Sequence, residues 1–465
     1  MSVQKTRKTS IDMTVGNPIR LMVLFAIPMW IGGVFQLMYN MVDTIVVGRF
    51  VSTDALAAIG ATSSTTAFIL FLGNGVTNTL SVIVAQAEGA KQAEKLKKVV
   101  SHATYLVVAV GIFLGLVSFL IARPLMQLLG TDPLIIDDSV TYIRIVSGLT
   151  IAQMCYNGSA AILRAIGDSK TPLYFLVFSS LLNIVLDLAF VLGLGAGVAG
   201  VAWATILSQL LSGILCITYM LRKYERLRPN KAAWKYDPAL MGEFLRIGLP
   251  LVVQSVTLNI GMFVITAVIN SFGKDVMAAY TIGSRVEHLA TVTFSNIAFS
   301  FSVFSGQNFG AHQYERIRSG YFKGSSLIVA LTLVSTAVMM IFARPLALLF
   351  MDEPQEVVLT EAVKLIRIEA SMYVLLGSIW GINSILRGMG AVKITLISSI
   401  VELASKIGLS LLLPIFLGTV GVWLAAPIGW GLGIIPTLGF FLWWAKDPEN
   451  RCIWLKKKKE ETVKA

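Results

Sequence analysis

Apolar runs of about 20 residues or more recur between residues 21 and 444, each long enough to cross roughly 30 Å of hydrocarbon as a helix. Short alternating segments of the kind a membrane β-barrel needs are absent. The pattern predicts twelve helices, at about 21–43, 55–80, 99–121, 134–160, 171–193, 198–220, 242–269, 276–303, 322–343, 357–386, 394–417 and 420–444. The expected fold class is therefore an all-α integral membrane protein with both termini on one side. The longest hydrophilic interval, about Arg222 to Met241, leaves no room for a large soluble domain.

The two halves of the pattern repeat. "FAIP", ending at Pro28, answers "RIGLP", ending at Pro250, and "AQAEGAKQAEKLKK" from Ala85 answers "GQNFGAHQYERIRS" from Gly306. "ARPL" occurs at Ala122 and Ala343, "LRAIGDSK" from Leu163 answers "LRGMGAVK" from Leu386, and "GVAGVAWA" from Gly197 answers "GTVGVWLA" from Gly418. Five agreements in one order, at offsets of 221 to 223 residues, indicate duplication of a six-helix unit. The boundaries follow: a cytoplasmic segment over 1–18, a six-helix lobe over 19–220, a linker over 221–240, a second lobe over 241–445 and a basic tail over 446–465. Two even-numbered units related by an axis along the membrane normal are expected to face a central cleft that opens alternately to either side.

Composition narrows this further. Of 465 residues, 55% are hydrophobic and 14% charged, against roughly 25% charged in soluble domains. The net charge of +12 is a topology signal: nearly all lysines and arginines outside the helices fall on one face, while the other receives only Arg49, Arg123, Lys274 and Arg344. The positive-inside rule then places both termini in the cytoplasm, and the "KKKK" tail would meet anionic lipid head groups. No basic stripe interleaved with aromatics points to nucleic acid. No GxxxxGK[ST] loop points to ATP. Cys155, Cys216 and Cys452 make no close-spaced redox or metal motif. The first apolar segment, although preceded by "KTRK", lacks an obvious cleavage site and reads as a retained span.

The candidate chemistry lies in carboxylates inside the spans. Asp43 in "LMYNMVDTIVVG" stands about 7–8 Å before the turn at Gly48, and Asp187 in "NIVLDLAF" about 9 Å before Gly193, both on helices running outward. Tyr39 and Asn183 each lie one turn earlier on the same faces, and Thr205 descends to the same layer about 12 Å below Gly197. A carboxylate facing lipid costs several kcal/mol, so all five side chains are expected to point into the bundle. Such a layer suits either protons or Na⁺, with Asp43, Asn183 and Asp187 as candidate Na⁺ ligands. Simple helix tying through a buried hydrogen-bond network is the competing structural role.

The second half does not repeat the acid pair. It offers Gln254, Asn259, Glu287, Glu369 and Glu402 as secondary transport-site candidates, with Lys406 one turn beyond Glu402 as its expected neutralising partner. Pro28 and Pro250, equivalent in the two halves, are expected bends or hinges. An acidic cleft with aromatic and methionine walls, drawn from residues such as Phe35, Met38, Met262 and Phe294, would hold a lipophilic cation and release it on neutralisation.

The six-plus-six repeat, "MVDTIVVG", "GQNFGA", and "LRAIGDSK" with "LRGMG" together resemble the multidrug and toxic compound extrusion (MATE) family of the multidrug, oligosaccharide-lipid and polysaccharide exporters, over residues 15–445. The resemblance implies two six-helix lobes, no cofactor, and export of cationic or amphipathic compounds in exchange for H⁺ or Na⁺ from a bacterial inner or archaeal plasma membrane. It carries the amino-terminal site over to Tyr39, Asp43, Asn183, Asp187 and Thr205. The NorM-like branch has a mid-membrane acid in its seventh helix, whereas Met241 to Ile269 has only Glu243 near its entrance, so the chain is expected to stand closer to DinF-like and archaeal members. Expected partners are membrane lipid and small amphipathic or cationic substrates, with no obligate protein partner and a monomeric state. An exporter of one endogenous metabolite or lipid-linked precursor is the alternative; a pyrophosphate-linked sugar would call for more intramembrane cations than are present.

Overall fold

The computed structural model describes residues 10–351 and 355–451. Lys5, Arg7, Lys8, Cys452 and the "KKKK" run lie outside the described residues, as does the side chain of Met262. The described chain is helical, without strands. Its α-helices are α1 (Pro18–Phe50), α2 (Thr53–Gly89), α3 (Ala93–Leu128), α4 (Ile136–Val146), α5 (Thr150–Ala165), α6 (Lys170–Leu188), α7 (Gly197–Lys223), α8 (Pro238–Asn270), α9 (Lys274–Gly310), α10 (Tyr314–Leu348), α11 (Glu356–Ser371), α12 (Tyr373–Gly388), α13 (Val392–Leu412), α14 (Pro414–Leu417) and α15 (Thr419–Ala445).

Among the described residues ten helices are long and apolar enough to cross a membrane. An eleventh span arises if α11 and α12, bent by 51° at Met372, count as one. This is fewer than the twelve expected. The difference lies at 134–160, where one helix was expected and α4 and α5 stand apart across Ser147–Leu149. A Cβ on Gly115 of α3 would lie 2.3 Å from the Gly148 carbonyl oxygen, so α3 rests directly on the backbone of this break. Small residues permit such close helix approach.

The repeat is visible in the elements. α1 and α8 each have 33 residues, α2 and α9 each 37, and α7 and α15 each 27. The turns agree too: Lys91 and His312, at corresponding places after α2 and α9, both adopt positive φ (52° and 58°). The following amides of Gln92 and Gln313 donate back to Ala87 and Asn308 carbonyls at 3.2 and 2.9 Å, the six-to-one bond of a Schellman cap.

The chain forms two compact units. Of the described residues, the first contains 10–12 and Ile27–Val252, and the second contains Met13–Ala26, 253–351 and 355–451. In the first, α5 packs against α2, α3 and α7, and α6 lies along α7. In the second, α13 lies along α15 and α9 packs on α10, α11 and α12. The unit boundaries fall beside Pro28 within α1 and Pro250 within α8.

Gly167, after α5, has φ +90°, and a Cβ there would lie 2.0 Å from the Ile11 carbonyl oxygen. The Ile11 amide donates to the Gly167 carbonyl at 2.9 Å, fastening the chain before α1 to this turn. Gly167→Ala should therefore lose at least about 1–2 kcal/mol from the left-handed backbone alone, whereas Gly408→Ala, with open space around its Cβ, should not. Thermal unfolding in detergent distinguishes the two.

The stretch between the halves is tied to α3. The Ser101 hydroxyl donates to the Ala233 carbonyl, Tyr105 donates to the Trp234 carbonyl at 2.7 Å, and the Asp237 amide donates to His102 Nε2 at 2.9 Å. Asp237 then starts α8: its Oδ1 accepts from the amides of Ala239 and Leu240 at 3.1 and 3.3 Å, with Pro238 at the first helical position. The Leu240 amide, and after it Lys98, hold the Asp237 carboxyl below the usual aspartate range. This stabilisation is present above the ordinary aspartate pKa and disappears as pH falls through the lowered folded value. Asp237→Ala should cost about 1 kcal/mol at neutral pH, and its difference from wild type in thermal midpoint should vanish on acidification.

Candidate functional site

The first unit brings together the five side chains expected in its polar layer. α1 carries Tyr39 and Asp43 one turn apart, α6 carries Asn183 and Asp187 at the same spacing, and Thr205 faces them from α7. Asp187, Asn183 and Thr205 are buried, at 0%, 1% and 7% exposure. The Asp43 and Asp187 carboxyls face each other at close range, and so do the Tyr39 and Thr205 hydroxyls. Thr205 Oγ1 passes its own proton to the Val201 carbonyl at 3.0 Å.

Asn183 joins these pairs. Its amide is oriented by its neighbours: the nitrogen donates to Asp187 Oδ2 at 2.9 Å and to Tyr39 Oη at 3.3 Å, and the oxygen accepts from the Thr205 amide at 3.1 Å. The amide thus bridges the acid pair to the hydroxyl pair. Two atoms are left over: Asp43 Oδ1 and Asp187 Oδ1 are both buried without a hydrogen-bond partner. Buried polar atoms are nearly always paired, so two orphaned carboxyl oxygens in one network call for an explanation.

The sequence did not mark Tyr142. It lies on α4, 9% exposed, within electrostatic range of Asp43, Asp187 and Tyr39. Its helix is short and charged, with Asp137, Asp138 and Arg144 nearby, so nothing in the local pattern lifted it into the polar layer. On one side the layer is closed by an apolar cluster that includes Val47, Val146, Val198 and Val201. Immediately after Asp187 the helix widens into a π turn, Ala189–Gly193, a local widening that recurs at functional sites.

In the second unit Gln254 is buried and donates to Ser399 Oγ at 2.6 Å and to the Thr395 carbonyl at 3.4 Å. Asn259 bonds only locally, its amide nitrogen donating to the Ser255 carbonyl one turn earlier at 2.8 Å. Glu287 and Glu369, from α9 and α11, line one cavity close to each other. Lys406 lines that cavity as well, so it faces this pair besides its helix neighbour Glu402. Of the apolar wall candidates Phe294 is fully buried, while Phe35 and Met38 are exposed. Among the described residues no group of three or more His, Cys, Asp or Glu side chains converges as a metal centre.

A family profile, MatE, matches residues 28–189 and again 250–412. The chain is similar to the "Probable multidrug resistance protein YoeA" of Bacillus subtilis, 25% identical over 93% of this chain and 96% of that protein. It is similar to the "Probable multidrug resistance protein YpnP" of the same organism, 27% identical over 84% of this chain and 87% of that one. Among solved structures, a MATE crystal structure in the bent conformation superposes with a TM-score of 0.87 at 26% identity, covering 98% of this chain and 100% of that one. One profile therefore fits both halves of the repeat, and the chain belongs to the MatE family of multi-pass membrane transporters, which carry out multidrug efflux and are not enzymes.

Proposed function

We propose that the protein is a cation-coupled antiporter that exports amphipathic or cationic compounds by alternating access, with the Asp43–Asp187 network as its coupling site. The single observation that carries this reading is the pair of orphaned, buried carboxyl oxygens held in one hydrogen-bonded cluster. Two facing carboxyls with unpartnered oxygens can share a proton between them or accept the charge of a bound cation. Loading the pair with ions removes the negative charge that holds a cationic substrate, so ion and substrate compete and their fluxes are linked. The similar proteins named for multidrug resistance support the substrate class.

Of the two coupling ions, the hydrogen bonds support H⁺. Na⁺ at Asp43, Asn183 and Asp187 would want several oxygens around it, yet the Asn183 oxygen is taken by the Thr205 amide and its nitrogen faces Asp187 and Tyr39. In this reading the chain spans the membrane twelve times, as two six-helix lobes over 19–220 and 241–445 with cytoplasmic termini, and works as a monomer. α4 with α5 and α11 with α12 each serve as one broken span, and Pro28 and Pro250 are the bends that absorb movement. The absence of a mid-membrane acid in α8 supports a place nearer DinF-like than NorM-like members.

The test is efflux of a fluorescent lipophilic cation from proteoliposomes under separately imposed pH and Na⁺ gradients. An inward-directed proton gradient should drive export and a Na⁺ gradient alone should not. Export driven only by Na⁺ would replace the ion assignment, and export indifferent to both gradients would remove the antiport reading.

A further inference from the structure

The second unit holds a small cavity of about 40 Å³, walled by α8, α9, α11, α13 and α15. Its polar lining is Glu287, Glu369, Lys406, Ser410 and the Tyr280 hydroxyl. The two carboxyls line the cavity close to each other, and the Lys406 ammonium lies within electrostatic range of both and of Glu402. Even so, no ion pair of 4.0 Å or less forms at Lys406 among the described residues, so the ammonium sits in the cavity without closing on any one acid. The Tyr373 hydroxyl, on a side chain with 0% exposure, is in range of the same two glutamates and has no hydrogen-bond partner. Tyr280 stacks parallel on Trp423 at 6.3 Å and closes one side.

The glycines of α15 show that this placement is built in. A Cβ on Gly429 would lie 3.3 Å from the Lys406 Cβ, and one on Gly433 would lie 2.8 Å from the Glu402 Cβ. α15 therefore lies flush against the stretch of α13 that carries both charges and fixes where the lysine stem leaves the helix.

Charge accounting gives the consequence. Three carboxyls, those of Glu287, Glu369 and Glu402, stand around one ammonium, that of Lys406. An alkali-metal ion entering the same volume would meet the like charge of the ammonium at close range. We propose that Lys406 is the resident cation of this cavity: a tethered ammonium that occupies, electrostatically, a cation site built from Glu287 and Glu369 and keeps alkali-metal ions out of it. The groups facing the site are Tyr280 and Glu287 from α9, Glu369 from α11, Tyr373 from α12, and Glu402 and Lys406 from α13; α8 and α15 contribute apolar and aromatic surface. The inference goes beyond the amino-terminal coupling site and does not depend on it.

Removing the tethered charge should open the site. Thermal unfolding of the full-length protein in detergent is compared in NaCl and choline chloride at equal ionic strength. Lys406→Gln should gain a saturable, Na⁺-specific rise in melting temperature, with half-saturation at least about tenfold lower in Na⁺ than any wild-type response, since ligand binding to the folded state raises stability. Lys406→Arg should behave as wild type, and Lys406→Gln/Glu369→Gln should lose the gain. A Lys406→Gln response identical to wild type overturns the proposal. Should Lys406→Gln not fold, the wild-type protein decides: Glu287→Gln and Glu369→Gln should leave its Na⁺ response unchanged, and loss of a Na⁺-specific response in either would mean that the ion already enters beside the lysine.

Discussion

Asp43→Asn and Asp187→Asn should each reduce gradient-driven efflux by roughly 5- to 150-fold, the span expected when a coupling free energy of about 1–3 kcal/mol is lost. Asparagine keeps the size of the side chain and most of its hydrogen bonds. It cannot take up or give up a proton, and it brings no charge to attract a cation. Asp187→Asn replaces the oxygen pair that receives the Asn183 amide at 2.9 Å, and Asp43→Asn removes the carboxyl that faces Asp187. Both variants should be monodisperse in detergent, because each removes an orphaned buried oxygen or its charge. Wild-type efflux in either folded variant would show that the pair is a strut between α1 and α6 and takes no part in coupling.

Asn183→Leu should have the second largest effect, and on a different quantity. It withdraws two donors and one acceptor from a residue with 1% exposure, leaving Asp187 Oδ2, Tyr39 Oη and the Thr205 amide short of partners. Each buried group left unpaired costs roughly 1–3 kcal/mol, so the melting temperature should fall by several degrees and efflux should fall with it. Asn183→Gln, which retains the amide on a longer stem, should recover part of the stability. An unchanged melting temperature in Asn183→Leu would mean that the amide does not bridge the two pairs.

Depth and helical spacing were enough to bring these five side chains into one layer from the sequence. Asp43 with Tyr39 and Asp187 with Asn183 are four apart on helices of the same direction, and in a membrane a buried carboxylate has few stable directions to face. Tyr142 escaped because a tyrosine beside Asp137, Asp138 and Arg144 reads as the edge of a loop. Lys406 was paired with Glu402 because spacing along α13 was the only neighbour relation available. Its approach to Glu287 and Glu369 depends on α9 and α11 meeting at one cavity, a tertiary relation that spacing along one helix does not contain. The fold divides the same way. The repeated motifs marked the duplication, with the turns at Lys91 and His312 repeating as the matching "GAKQ" and "GAHQ" imply, and hydropathy found the long helices. It passed over the break between α4 and α5 and the bend between α11 and α12, because a few residues of small or mixed polarity, such as Ser147–Leu149, do not interrupt an apolar window.

The central claim is that ion and substrate contend for one pair of carboxyls in the first unit. Its most direct measurement is the affinity of the purified protein for a fluorescent lipophilic cation as pH is lowered and, separately, as Na⁺ is raised. Wild type should bind more weakly as the pair takes up protons, and Asp43→Asn and Asp187→Asn should bind weakly at every pH with little dependence on it. The same pH dependence in wild type and both variants would contradict the account.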